Sequence, residues 1–199
     1  KAQYRLGILY CNGEYIPKNV NKGISFLVLS SKQNYGKSFI ELARIYYQND
    51  IVPRDIEKTV YYLNLGSFHN DTNARYILGL LFLDGKYVKR NITIALIYLN
   101  NAAYQNNIDA LLFLGDLYLG NQYLQRNVKQ SIHYFKIAAD LKSPIAQYYL
   151  GRIYSDGKYI SIDMEQSIHY LELASNQNLI PAQIMLGRFY LDNIYVEKN

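Results

Sequence analysis

The sequence lacks tryptophan and carries a single cysteine, Cys11. One cysteine excludes a disulfide framework within these residues, so packing and hydrogen bonds must hold the fold. Proline is scarce: Pro17, Pro53, Pro144 and Pro181 all fall in turns or at helix starts, where proline is tolerated. No stretch reaches the roughly 18 apolar residues of a membrane span. Charge is thin and unclustered. A net charge of +5 with no basic run does not suggest a nucleic-acid-binding tail. Gly-rich phosphate loops, metal-ligand pairs and nucleophile elbows are missing as well. Hence no catalytic centre, cofactor or metal is expected. The lone thiol leaves the compartment open, with the cytoplasm favoured over the endoplasmic reticulum lumen.

The chain does have hydrophobic residues at 50% and 22 tyrosines, which argues against disorder. Its 199 residues suffice for one domain or one repeat array with a sizeable core. Aligned on itself, it repeats every 36 residues without insertion. A small residue recurs at Ala2, Ser38, Ala74, Ala110, Ala146 and Ala182. Leucine follows four positions on, at Leu6, Leu42, Leu78, Leu114, Leu150 and Leu186. Next come Gly7, Ala43, Gly79, Gly115, Gly151 and Gly187, then Tyr10, Tyr46, Phe82, Tyr118, Tyr154 and Tyr190. The spacing i, i+4, i+5, i+8 is one face of a helix. Glycine inside a helix costs about 1 kcal/mol against alanine, and the physical reason to keep it is close approach of another helix.

A second helix follows in each unit. Its apolar stripe reads Val20, Ile24, Leu27; Ile56, Val60, Leu63; Ile92, Leu96, Leu99; Val128, Ile132, Phe135; and Met164, Ile168, Leu171. Small pairs close it, as at Ser30-Ser31 and Ala102-Ala103. Gly13, Gly85 and Gly157, with Asn49, Asn121 and Asn193, are expected to end first helices in the left-handed conformation. Asn34, Asn70, Asn106 and Asn178 should end second helices likewise. Each unit is therefore helix, loop of about six residues, helix, short turn. Stacked copies bury what one hairpin cannot. The fold class expected is all-α, a right-handed α/α superhelical solenoid of helix-loop-helix repeats. The array occupies 1–199 as units 2–37, 38–73, 74–109, 110–145, 146–181 and a partial 182–199. The opening KAQYRLG reads as a helix rather than a targeting segment, and VEKN falls where a sixth second helix should begin, so an excerpt of a longer array is expected.

These residues resemble the Sel-1-like repeat family, within the tetratricopeptide-like superfamily. The fullest copy is Ala146, Leu150, Gly151, Tyr154, Gly157, Tyr159, Tyr170 and Ala174. The 36-residue register and the Gly-Lys-Tyr loop set it apart from the 34-residue tetratricopeptide repeat. Departures are Asn or Lys142 at the turn where the family has glycine, and Ser38, Ala43 and Asn49 in the second repeat. The resemblance implies binding rather than chemistry. Such proteins act as adaptors in endoplasmic reticulum quality control, cell-wall synthesis, signalling or bacterial virulence. The single cysteine argues against a cysteine-rich branch with penicillin-related activity.

Isolated chemical candidates have structural readings. His133 and His169 recur at one position beside the second-helix stripe, which favours duplication over a metal or proton site. Cys11 reads as a small buried apolar group rather than a reactive thiol. Periodic tyrosines read as inter-helix packing. Asn70 and Asn91 begin glycosylation sequons that chance supplies in such a composition.

The functional stripe is sought on the first helices, which by resemblance line a concave face. Beyond the core it contains Tyr4, Ile8 and Cys11; Ile40, Arg44 and Tyr47; Tyr76, Leu80 and Leu83; Leu112, Asp116 and Leu119; Tyr148, Arg152 and Ser155; and Ile184, Arg188 and Leu191. Its first row also suits packing on the next repeat. The partner-binding candidates are Tyr4, Ile8, Arg44, Tyr47, Tyr76, Leu80, Leu83, Leu112, Asp116, Tyr148, Arg152 and Arg188. Aromatic and arginine residues anchor interfaces, and arginine pairs with carboxylates. The function expected is a protein-interaction scaffold for an apolar, acidic peptide segment. The alternative is a regulatory or substrate-recruiting array for an enzyme or a quality-control protein whose catalytic part lies elsewhere. Hydrolysis on the repeats lacks a nucleophile–base pair, RNA binding lacks charge, and self-association through end repeats stays open.

Overall fold

The computed structural model describes residues 1–120 and 122–191. All regular structure among them is helical. Residues 1–105 form one compact unit and 106–199 a second. The first unit contains α1 (Ala2–Asn12), α2 (Val20–Lys32), α3 (Gly36–Gln48), α4 (Ile56–Phe68), α5 (Thr72–Asp84) and α6 (Ile92–Tyr104). The second contains α7 (Ile108–Leu119), α8 (Val128–Asp140), α9 (Pro144–Ser155), α10 (Met164–Ser175) and α11 (Ile180–Leu191). Within each unit the closest helix pairs are the hairpins α1–α2, α3–α4, α5–α6, α7–α8 and α9–α10. Asn121, Asn193 and the sixth second helix lie outside the described residues.

Four first-helix glycines, Gly7, Gly79, Gly115 and Gly151, do what the repeat suggested. A Cβ at Gly79 would lie 2.5 Å from Leu99 Cγ, and one at Gly151 would lie 2.6 Å from Leu171 Cγ. Gly7 meets Leu27, and Gly115 meets the Phe135 ring, in the same way. Backbones this close allow a further bond. The Ser131 hydroxyl donates to the Gly115 carbonyl at 2.6 Å, and Ser167 to that of Gly151 at 2.7 Å. At the same level an aromatic pair closes every hairpin, nearly parallel and 5.8 to 6.0 Å apart: Tyr10–Phe26, Tyr46–Tyr62, Phe82–Tyr98, Tyr118–Tyr134 and Tyr154–Tyr170. Burial holds the Tyr62, Tyr134 and Tyr170 hydroxyls above their ordinary pKa. The leucine row is buried except for Leu6, which is 39% exposed.

The turns are more regular than expected. Asn34, Asn70, Asn106, Lys142 and Asn178 all have positive φ. The amide after each of Asn34, Asn70, Lys142 and Asn178 donates to a carbonyl five residues back, as Tyr35 does to Ser30, the bond of a Schellman motif. The small pairs sit here, and the Gly66 Cα lies so near Ala74 that an added Cβ would come within 2.9 Å of its methyl. The inter-helix loops, at 13–19, 49–55 and 85–91 in the first unit, are longer than the six residues expected. The difference is the N-cap. Asn19, Asp55, Asn91, Asn127 and Asp163 each accept from the amide three residues on. Their own amides donate to the carbonyl of the first-helix aromatic, as Asn91 does to Phe82 at 2.9 Å. In the fourth repeat α7 is capped one residue early, by Gly120 at φ 118°.

Three outcomes follow for stability. Gly79→Ala should destabilise by about 1–3 kcal/mol through overpacking on Leu99. Gly187→Ala, with no atom of the described residues beyond its own helix backbone and chain neighbours within 4 Å of its Cβ position, should gain up to about 1 kcal/mol from helix propensity; denaturant midpoints compare the two. Lys142→Gly removes a left-handed lysine at φ 66° and should stabilise by about 1 kcal/mol by the same assay. The buried tyrosines have folded pKa values above their unfolded ones. Their contribution is therefore complete below about pH 10 and lost as pH rises beyond it. Midpoints should fall in that alkaline range, and Tyr134→Phe should flatten the fall.

Candidate functional site

In the first unit, α1, α3 and α5 present a face with two adjoining cavities that share Arg44. The first, about 480 Å³, is lined by Tyr4, Arg5, Ile8, Leu9 and Asn12 of α1 and by Glu41 and Arg44 of α3. The second, about 440 Å³, lies between α3 and α5. Ile40, Ala43, Arg44, Tyr47 and Gln48 line it from α3, and Ile77, Leu80, Leu81 and Asp84 from α5. It reaches down to Thr59 and Leu63 of α4.

The face brings together Tyr4, Ile8, Arg44, Tyr47 and Leu80 of the sequence candidates. Tyr4 and Ile8 also pack on the cluster of Cys11, Leu27, Leu42 and Ile45, with the Tyr4 ring tilted against Tyr35 at 5.2 Å. Tyr76, on α5, is half-buried and lines neither cavity. Leu83 is 2% exposed and belongs to the core, so its side chain offers nothing to a partner. Cys11, also buried, has its thiol pushed up by desolvation and then by Glu41, the opposite of an activated cysteine.

Arg44 is not the open carboxylate receptor the sequence suggested. Its Nε donates to Glu41 Oε1 at 3.0 Å and a terminal nitrogen bonds the same oxygen at 2.5 Å. The other terminal nitrogen donates to Gln48, and Asp50 stands 4.0 Å away. The hydrogen bond it donates to Glu41 leads in holding the guanidinium pKa above its ordinary value. Tyr47 is held edge-on to Tyr87 at 5.6 Å. Arg54 clasps both: its Nε donates to the Tyr47 carbonyl at 2.6 Å and its NH1 to the Tyr87 hydroxyl at 2.9 Å.

In the second unit Leu112 is half-buried and Asp116 exposed. Tyr148 packs on the cluster of Leu171, Ala174, Ala182 and Leu186. The Arg152 guanidinium lies 5.8 Å from the Tyr148 ring centre. Arg188 is exposed in the last turn of α11. Among the described residues, no carboxylate lies within 4.0 Å of Arg152 or Arg188.

Sequence reasoning missed Glu41, Ile77 and Asp84. Glu41 and Ile77 flank the i, i+4, i+7 row instead of lying on it. Asp84 carried a signal, an acid at a helix C-terminus against the macrodipole. The histidines have packing roles: His69 stacks on Phe39 at 5.2 Å, and His133 and His169 lie against Tyr134 and Tyr170. Among the described residues, no group of three His, Cys, Asp or Glu could hold a metal ion, and no helix is long and apolar enough to cross a membrane. Asn91 accepts the Ile94 amide at 3.0 Å, and Asn70 accepts from Arg75 and Gln105 at 2.6 and 3.2 Å, so both sequon asparagines have roles in turns.

The comparisons with known proteins bear on the repeat and the fold. The Sel1 repeat model matches residues 1–35, 40–67, 72–107, 108–143, 144–179 and 180–199. No curated protein matches the sequence. A Sel1 repeat protein from Oxalobacter formigenes aligns with TM-score 0.77 and 22% identity, over 94% of this chain and 77% of its own. A protective antigen of uropathogenic Escherichia coli with an SLR fold gives TM-score 0.83 and 22% identity; all of this chain is covered but only 42% of that protein. An immunity protein from Pseudomonas aeruginosa gives 0.60 at 18% identity, over 91% and 69% of the two chains. At these identities the likeness establishes the fold, the all-α repeat solenoid that the register implied. With its repeats matched from end to end, the chain belongs to the Sel1 repeat family.

Proposed function

We propose that this chain is a protein-interaction scaffold whose first-helix face in residues 1–105 receives an extended or helical segment of a partner polypeptide. Sel1 repeat proteins are generally interaction scaffolds, and their fold is typically non-catalytic. The observation that carries the reading is the pair of adjoining cavities meeting at Arg44, walled by Tyr4, Ile8, Tyr47 and Leu80. Periodic core positions are spent on helix packing, whereas these side chains vary from repeat to repeat and remain at the surface. Such a face suits helix-in-groove or extended-segment recognition. Arg152, exposed beside Tyr148, is the second unit's residue for a partner carboxylate.

The test uses a native extract and two double variants. Ile8→Asp with Leu80→Asp alters the first-helix face. Tyr61→Asp with Ile97→Asp alters the second helices at side chains already 57% and 55% exposed. Copurifying polypeptides should be lost from the first pair, by about thirtyfold where a binding hot spot is hit. The second pair should retain them. The opposite pattern would move binding to the second-helix side.

A further inference from the structure

We infer that the outer edge of α1 is a docking face for a second helix, part of a further repeat hairpin that the same polypeptide carries ahead of α1. The inference does not rest on the first-helix face receiving a partner. On α3 the row Ser38, Leu42 and Ile45 meets the hairpin before it, and on α5 the row Ala74, Leu78 and Leu81 does so. All six side chains are buried. Leu42 and Ile45 cluster with Leu27 of α2, and Ala74, Leu78 and Leu81 cluster with Leu63 of α4. In the second unit, Ala182 and Leu186 of α11 cluster with Leu171 and Ala174 of α10. The equivalent row on α1 is Ala2, Leu6 and Leu9. Ala2 is exposed, Leu6 is 39% exposed against 0% for Leu42 and Leu78, and Leu9 is half-buried. An apolar row that is covered on the other first helices thus lies open on this one.

A polar side chain at the next position fixes what the occupant must offer. Arg75 donates to the Ser67 carbonyl at 3.0 Å, Gln147 Nε2 to that of Ala139 at 3.4 Å and Gln183 Nε2 to that of Ser175 at 3.4 Å. Each acceptor is the second member of a small pair in the last turn of α4, α8 or α10, where carbonyls lack a partner within the helix. Gln147 uses the other end of its amide as well, since its Oε1 accepts from Gln177 at 2.8 Å. Gln3 holds this position on α1, makes neither bond, and its Oε1 is buried without a partner. The C-terminal turn of a helix laid over Ala2 and Gln3 supplies the missing carbonyl. The flank of a second copy's α1 does not, because its carbonyls are bonded along the helix. An occupant ending there ends beside the start of α1. Where α2, α4, α8 and α10 end in this way, only the short turns 33–35, 69–71, 141–143 and 176–179 lead into the next helix. So close an approach of the two ends places the occupant in the same chain. Its pattern is a leucine or phenylalanine, a small pair and a left-handed residue, spaced from Lys1 as Leu27, Ser30-Ser31 and Asn34 are from Lys37. Because α3 and α5 lie side by side, such a hairpin also sets a further first helix next to α1 and lengthens that face.

The experiment adds to the 199-residue chain a copy of residues 163–180, which is α10 with its N-cap and turn, so that Lys1 takes the place of Pro181. Amide hydrogen exchange on α1 and the denaturant midpoint are then compared with those of the unextended chain. Exchange at Leu6, Gly7 and Ile8 should slow about tenfold or more, and the midpoint should rise. Leu171→Asp within the added copy should remove both effects. If the added copy is not helical by circular dichroism, residues 127–144, which are α8 with its N-cap and turn, replace it. Exchange on α1 unchanged in both extended chains would overturn the docking face. A dimer of the unextended chain that Leu6→Asp dissociates would give the edge to a second copy and overturn the assignment too. The natural transcript tests the same-chain source directly. Codons ahead of Lys1 should spell the pattern given above, and any other sequence at those positions would overturn it.

Discussion

The contact on which this fold depends is between a glycine on one helix and a leucine or phenylalanine on the next, repeated in four hairpins with an alanine in the fifth. Everything else is arranged around it. Once the Gly79 backbone lies against Leu99, the helices are near enough for serine hydroxyls to bond carbonyls across the equivalent contacts at Gly115 and Gly151. The aromatic pairs then fall into near-parallel register, and the aromatic carbonyl receives the amide of the next N-cap. A side chain larger than the Ala43 methyl of the second hairpin, where the Tyr46–Tyr62 pair and the Asp55–Tyr46 bond persist, would disturb all of these together.

With the core positions fixed by packing, recognition must use what lies between them. On α1, α3 and α5 that residue set is largely apolar, and the arginine that the two cavities share is paired with Glu41. Arg152 and Arg188 belong to the other compact unit and have no such neighbour among the described residues. Three arginines at one repeat position thus differ in chemical availability. The cause is a carboxylate three residues earlier on α3, where α9 has Tyr149 and α11 has Met185. A charged partner would read the two units differently.

Much of the fold was legible because the repeat is written in small residues and aromatics at fixed spacing. Register alone placed Leu42, Leu78, Leu114 and Leu150 in the core and put the left-handed turns at Asn34, Asn70 and Asn178. It did not reveal the N-caps, because asparagine is common here and Asn91 drew notice only as a sequon. It also put Leu83 on the binding row, since periodicity fixes a helix face but not how deeply the neighbouring hairpin covers it. The candidate surface was half legible for the same reason. The sequence named Arg44, Tyr47 and Leu80, whereas Glu41 and Asp84 acquire meaning only once adjacent helices are set side by side.

The second and third hairpins are stitched together at both rims. Arg54 in one loop reaches the Tyr87 hydroxyl in the next, and at the opposite rim the Gln105 amide reaches Asn70. Two fasteners at opposite ends of the same helices oppose torsion as well as separation. A partner segment docking on the proposed face would meet helices already tied side by side, with less left to order on binding.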